Sequence, residues 1–147
     1  MARSGAQRKQ RPTKPQASGA RKPESVRHEF AAAEDAELVT ELAERGIVLD
    51  VSPVSNVRTG AVGSLAEHPL PRLVAAGVRC SISTDDPAMF DTDLTRDYAA
   101  AGSLGVEPRS AYEAGVEGAL CDEGTRKRLQ EVGEGYDWSR LPRAELV

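Results

Sequence analysis

Two apolar runs, Ile47 to Val51 and Val78 to Ser83, each follow a stretch of helical spacing and each run into small polar residues. Ahead of the first, Leu38, Leu42 and Ala43 recur at helical spacing from Glu34 to Arg45, with Asp35 in the first turn and Gly46 as a stop. Ahead of the second, Pro69 or Pro71 opens a helix carrying Leu70, Leu73 and Val74 that ends at Gly77. A short segment upstream, Ser25-Val26-Arg27-His28, finishes a preceding strand. Strands that alternate with helices of this length are joined by right-handed crossovers and lie parallel. The spacing therefore predicts an α/β fold, with no internal repeat. Beyond it the pattern turns helical: Leu94 to Leu104, then Pro108 to Leu120 with Tyr112, Val116 and Leu120 on one face, then Glu123 to Val132 with Leu129 and Val132. The tail from Gly133 onward, with Trp138, is less regular.

The residues just past each strand carry the chemistry. The first run ends in a predicted loop, Ser52-Pro53-Val54-Ser55-Asn56, and the second in Thr84-Asp85-Asp86-Pro87. Side chains alternate in direction along a strand, so neighbouring aspartates at its end face different surroundings. One can hold a cation while the other accepts a hydrogen bond from a ligand, a division suited to the carboxyl ends of strands in an α/β barrel. The plainer reading is an Asp cap ahead of a Pro-led turn.

Composition narrows the class. At 147 residues the chain has the length of one domain, short of the ~200 to 250 residues that a complete (β/α)8 barrel needs. Residues 1–23 hold seven basic side chains and no acid, which leaves twelve of the 19 basic residues to face all 23 acids, a balance of −11. We therefore expect a disordered basic arm over residues 1–24, an ordered body over 25–138 and a tail over 139–147. The acidic body argues against nucleic acid as a partner, and no aromatic residue interleaves with the arm's charges. No run reaches the ~18 apolar residues of a membrane span, and no apolar stretch follows the basic start as in a secretory signal. A cytoplasmic location is expected. Cys80 and Cys121 are too few for a disulfide framework and lack CxxC spacing. Cys80, inside a strand pattern, reads as a buried, inert thiol.

From Glu34 to about Trp138 the chain resembles the C-terminal part of the adenosine deaminase family. The resemblance is carried in order by Leu42-Ala43-Glu44-Arg45-Gly46-Ile47, Ser52 to Asn56, Thr59-Gly60, His68-Pro69, Ser81 to Phe90, and Leu94 with Tyr98. It implies a partial TIM-type (β/α) barrel, about its last three parallel strands plus closing C-terminal helices. It also implies a zinc-dependent aminohydrolase that converts adenosine to inosine and ammonia, the metal lowering the pKa of the attacking water. By this resemblance Asp85 is the zinc-ligating carboxylate, Asp86 binds the purine ring, and His28 occupies the place of the histidine that orients the water. Arg27 and Glu29 stand where the family has glycines, so His28 departs from its Gly-His-Gly pattern. His68 matches a helix-opening His-Pro and is expected as a surface or capping residue, not a ligand.

The family's His-x-His and His-Ala-Gly-Glu segments have no counterpart, and the chain holds two histidines. A catalytic zinc needs at least three protein ligands. Either a second polypeptide completes the barrel around the purine nucleoside, or the chain is a truncated, catalytically inactive remnant. Three strands by themselves are expected to leave both sheet edges and half the barrel interior exposed.

Overall fold

The computed structural model describes residues 25–27 and 31–141. Its sheet has three parallel strands, β1 (Ser25–Arg27), β2 (Val48–Val51) and β3 (Arg79–Ile82), in the order β1-β2-β3. Register pairs Arg27 with Asp50, and Asp50 in turn with Ser81. Helix α1 (Ala36–Arg45) connects β1 to β2. Helices α2 (Pro53–Arg58) and α3 (Leu70–Ala75) connect β2 to β3, and α4 (Leu94–Ser103), α5 (Pro108–Gly118) and α6 (Glu123–Gly135) come after.

Local chemistry sets the helix ends. Asp35 is the N-cap of α1, not a first-turn residue, and its carboxylate accepts from the amides of Glu37 and Leu38. Gly46, at φ +63°, closes that helix in the left-handed conformation that glycine takes without strain. Asp93, Glu107 and Asp122 cap α4, α5 and α6 in the same way, with Pro108 at the first position of α5. Helix α6 runs three residues past Val132, and a 3-10 turn at Trp138–Arg140 continues the order.

Alternation along the strands gives the sheet two faces. Leu49, Val51, Cys80 and Ile82 lie on one and form a single apolar cluster with Leu42 of α1, Leu70 and Leu73 of α3, and Ala101 of α4. Val48, Asp50 and Ser81 lie on the other, where α5 packs. A Cβ on Gly118 would sit 2.9 Å from that of Val48, and one on Gly115 would sit 3.4 Å from that of Ser81. The missing side chains let the helix backbone approach the strands. Both faces are thus covered, contrary to the expectation that half the barrel interior would be exposed; Val48 is 1% exposed and Ser81 8%.

Side chains such as Leu49, Leu70, Leu73 and Ile82 contribute about 1.5 to 3 kcal/mol each on burial. The ion pairs Arg45–Glu41 and Arg109–Glu113 are half-exposed, and such pairs contribute at most about 1 kcal/mol. Apolar burial therefore dominates. Two residues named for their helical spacing are exposed, Leu120 at 85% and Val132 at 60%. Leu120 lies past the end of α5, so helical spacing no longer fixes its direction. Among the described residues no helix is long and apolar enough to cross a membrane.

Candidate functional site at the carboxyl ends of the strands

Strands β2 and β3 end side by side. The Ser83 amide donates to the Val51 carbonyl at 2.9 Å, and the hydroxyls of Ser52 and Ser83 share a hydrogen bond of 2.9 Å. The expected loop after β2 is instead the short helix α2, with Pro53 at its first position. Ser52, Ser55 and Arg58 are spaced by three along it, one helical face, and each meets the segment that leaves β3. Ser55 Oγ donates to Asp85 Oδ2 at 2.9 Å, and the Arg58 guanidinium donates to the Phe90 carbonyl.

Asp85 takes φ +58°. For a residue with a Cβ this left-handed conformation costs on the order of 1 kcal/mol or more, and it persists where neighbouring contacts hold it. Asp86 takes a different partner: its Oδ1 accepts from the Met89 amide at 2.9 Å, and its carbonyl accepts from Phe90. Both side chains are exposed. The two acids therefore meet separate surroundings, Asp85 reaching across to α2 and Asp86 closing the Pro87 turn. The plainer expectation of an Asp-capped turn describes the Asp86 contact.

Beneath this surface lie two buried polar arrangements, the first of which reading the sequence did not single out. Asp97 of α4 is 0% exposed. Its Oδ1 accepts from the Val54 amide at 2.9 Å and its Oδ2 from the Thr92 hydroxyl at 3.2 Å. Burial raises its pKa, opposed by the bonds from Val54 and Thr92. The only available signal was a carboxylate three residues after Leu94 and four before Ala101, within an apolar spacing.

The second arrangement involves His68, which is buried at 4% exposure and not a surface residue. Its Nδ1 accepts from the Leu70 amide at 3.1 Å, so its capping role holds. On the other side of the ring, Nε2 lies 3.3 Å from the Asn56 side-chain nitrogen. Burial pushes the His68 pKa down to about 4. It also pushes the buried Cys80 thiol up to about 12, which keeps it protonated and unreactive.

His28 lies outside the described residues, as does the basic arm. Among the described residues no three His, Cys, Asp or Glu side chains converge as a metal site requires. Asp85 offers one carboxylate, short of the three protein ligands that a catalytic zinc needs. These residues by themselves do not fit a catalytic zinc.

A parallel α/β sheet that gathers acids and hydroxyls at the carboxyl ends of its strands has the layout of an α/β-barrel enzyme. Residues 17–133 match the adenosine deaminase family model, and the chain belongs to that family. It is 56% identical over 116 residues to an aminodeoxyfutalosine deaminase of Acidothermus cellulolyticus, covering 79% of this chain and 33% of that protein. It is 44% identical over 112 residues to an adenine deaminase of Rhizobium johnstonii, covering 74% and 35%. The fold matches that of an adenine deaminase from Arthrobacter aurescens with a TM-score of 0.70 at 25% identity, covering 76% and 35%. The chain thus spans about a third of the length of these relatives, and its fold matches the corresponding part of theirs.

Proposed function

We propose that this chain contributes the zinc-ligating carboxylate, Asp85, and the purine-binding carboxylate, Asp86, to a deaminase that hydrolyses a 6-aminopurine nucleoside, adenosine first among them, to its 6-oxo product and ammonia. The observation that carries this reading is Asp85 itself. It lies past the carboxyl end of β3, in a left-handed backbone conformation, fixed to Ser55 of the helix that follows the neighbouring strand. That is the kind of pre-organised carboxylate that a metal site demands. The nucleoside substrate is a finer choice within the family, since the relatives act on adenine or aminodeoxyfutalosine by name. In this reading the chain supplies about the last three strands of the barrel, and a second polypeptide supplies the remaining zinc ligands.

The donor count favours a second reading, a catalytically silent member of the family. Two measurements separate them. The first is zinc content and ammonia release from adenosine by the purified chain. The second uses a chimera in which residues 25–138 replace the matching third of the Acidothermus cellulolyticus relative. The proposal expects a chimera that binds zinc and deaminates, and an Asp85→Asn chimera that loses both. A folded Asp85→Asn chimera with undiminished zinc removes the metal role from Asp85. A purified chain that binds one zinc and releases ammonia overturns the silent reading.

A further inference from the structure

We propose that Asp97 is a positioning residue that sets the place of Asp85 through the first turn of α2. Helix α2 begins without a cap of its own: Ser52 makes no capping bond, because its hydroxyl is engaged with Ser83. The cap comes instead from 43 residues further along, where Asp97 Oδ1 accepts the Val54 amide at 2.9 Å. Val54 immediately precedes Ser55, the residue that holds Asp85 Oδ2. The other oxygen of Asp97 takes the hydroxyl of Thr92, in the segment that returns from Asp85 to α4. One buried carboxylate is therefore tied to both walls of the site: the helix that carries Ser55 and the segment that carries Asp85.

A carboxylate with no exposure is costly to bury, and burial raises its pKa. An apolar residue would serve packing better, so its retention in the apolar spacing of α4 needs the two bonds it accepts. Asparagine offers an equivalent oxygen to Val54 and an amide that Thr92 can accept from, whereas alanine offers neither. The consequence for chemistry rests on the proposed role of Asp85. Backbone geometry in the metal-free chain is measurable without that role, so the two can fail separately.

The experiment compares amide hydrogen exchange and backbone resonances of the full chain with those of Asp97→Ala, Asp97→Asn and Ser55→Ala. In Asp97→Ala the Val54 amide should exchange about ten- to a hundredfold faster. The Ser55 and Asp85 resonances should be displaced while those of α6 stay in place. Asp97→Asn should restore wild-type Asp85 resonances. In the Ser55→Ala background, Asp97→Ala should displace Asp85 by less than it does in the parent, because only the Thr92 link is left to transmit it. If Asp97→Ala does not fold, Thr92→Val loosens the same carboxylate and should move the same resonances in the same direction by less. Asp85 resonances that stay fixed in the folded variant, or that move as far in Asp97→Asn as in Asp97→Ala, overturn the proposal. So does displacement that persists undiminished without Ser55.

Discussion

Ser55 Oγ and Asp85 Oδ2 lie 2.9 Å apart, although 30 residues separate them in the chain. The serine is buried and the aspartate exposed, so the bond anchors a surface carboxylate to a buried point of α2. Ser55→Ala should lower stability by about 1 kcal/mol, the usual net contribution of one such bond. In the chimera it should also lower zinc retention, because Asp85 then loses the bond that holds its left-handed turn. Equal urea midpoints and equal zinc content for Ser55→Ala and the parent would show that the bond fixes nothing.

Asp86 holds its turn through the Met89 amide, and the proposed function adds a ligand role. Asn at this position keeps an oxygen for the Met89 amide, whereas Ala removes it. Asp86→Asn should leave stability within about 0.5 kcal/mol, and Asp86→Ala should cost about 0.5 to 2 kcal/mol, as other lost caps do. If Asp86 also binds the purine, Asp86→Asn in the chimera should raise KM for adenosine with the fold intact. An unchanged KM would leave Asp86 a turn residue alone.

His68 gives the stability a definite pH dependence. Its folded-state pKa of about 4 lies below the ordinary 6.5, so the unfolded chain takes up the proton first as pH falls. The stabilisation is complete above about pH 6.5 and is lost progressively toward pH 4. The difference between these pKa values corresponds to about 3 kcal/mol. His68→Asn keeps an oxygen for the Leu70 amide but cannot titrate. The midpoint of urea unfolding, tracked from about pH 4 to about pH 8, should fall more steeply for the parent than for this variant. Parallel curves would refute the assignment.

Gly118 marks the closest approach of α5 to the sheet. A methyl placed there meets Val48 Cβ at 2.9 Å, with both Val48 γ-carbons at 3.1 Å. Gly118→Ala should therefore destabilise by about 1 to 3 kcal/mol despite the better helix propensity of alanine. Adding Val48→Ala should recover part of the loss, because the clash has gone. A double variant no more stable than the sum of its single changes predicts would place the strain elsewhere.

The strands and most helices were legible because their signals are local. Apolar alternation marked β2 and β3, and Gly46 and Pro108 stood at helix boundaries where backbone sterics require them. The segment Ser52 to Asn56 reads as a loop because its serines and asparagine lower helix propensity. It becomes α2 once a distant carboxylate caps it. Leu120 and Val132 carry core-like spacing yet stay exposed, since spacing does not say whether a neighbour packs there. His68 looks like a surface residue because a local pattern shows its cap on Leu70 but not the Asn56 amide that lets it be buried.

By itself the sequence determined a parallel α/β unit of the adenosine deaminase family, with two adjacent acids past the end of its third strand. Periodicity, helix signals and a dense run of family residues are properties of neighbours along the chain. Only the tertiary structure decided that Asp85 is held by Ser55, that Asp97 is the buried cap of α2, and that α5 closes the second face of the sheet through Gly115 and Gly118. Those facts join residues that lie tens of positions apart. Their energies arise from burial and hydrogen bonding between segments, which exist only after the chain has folded.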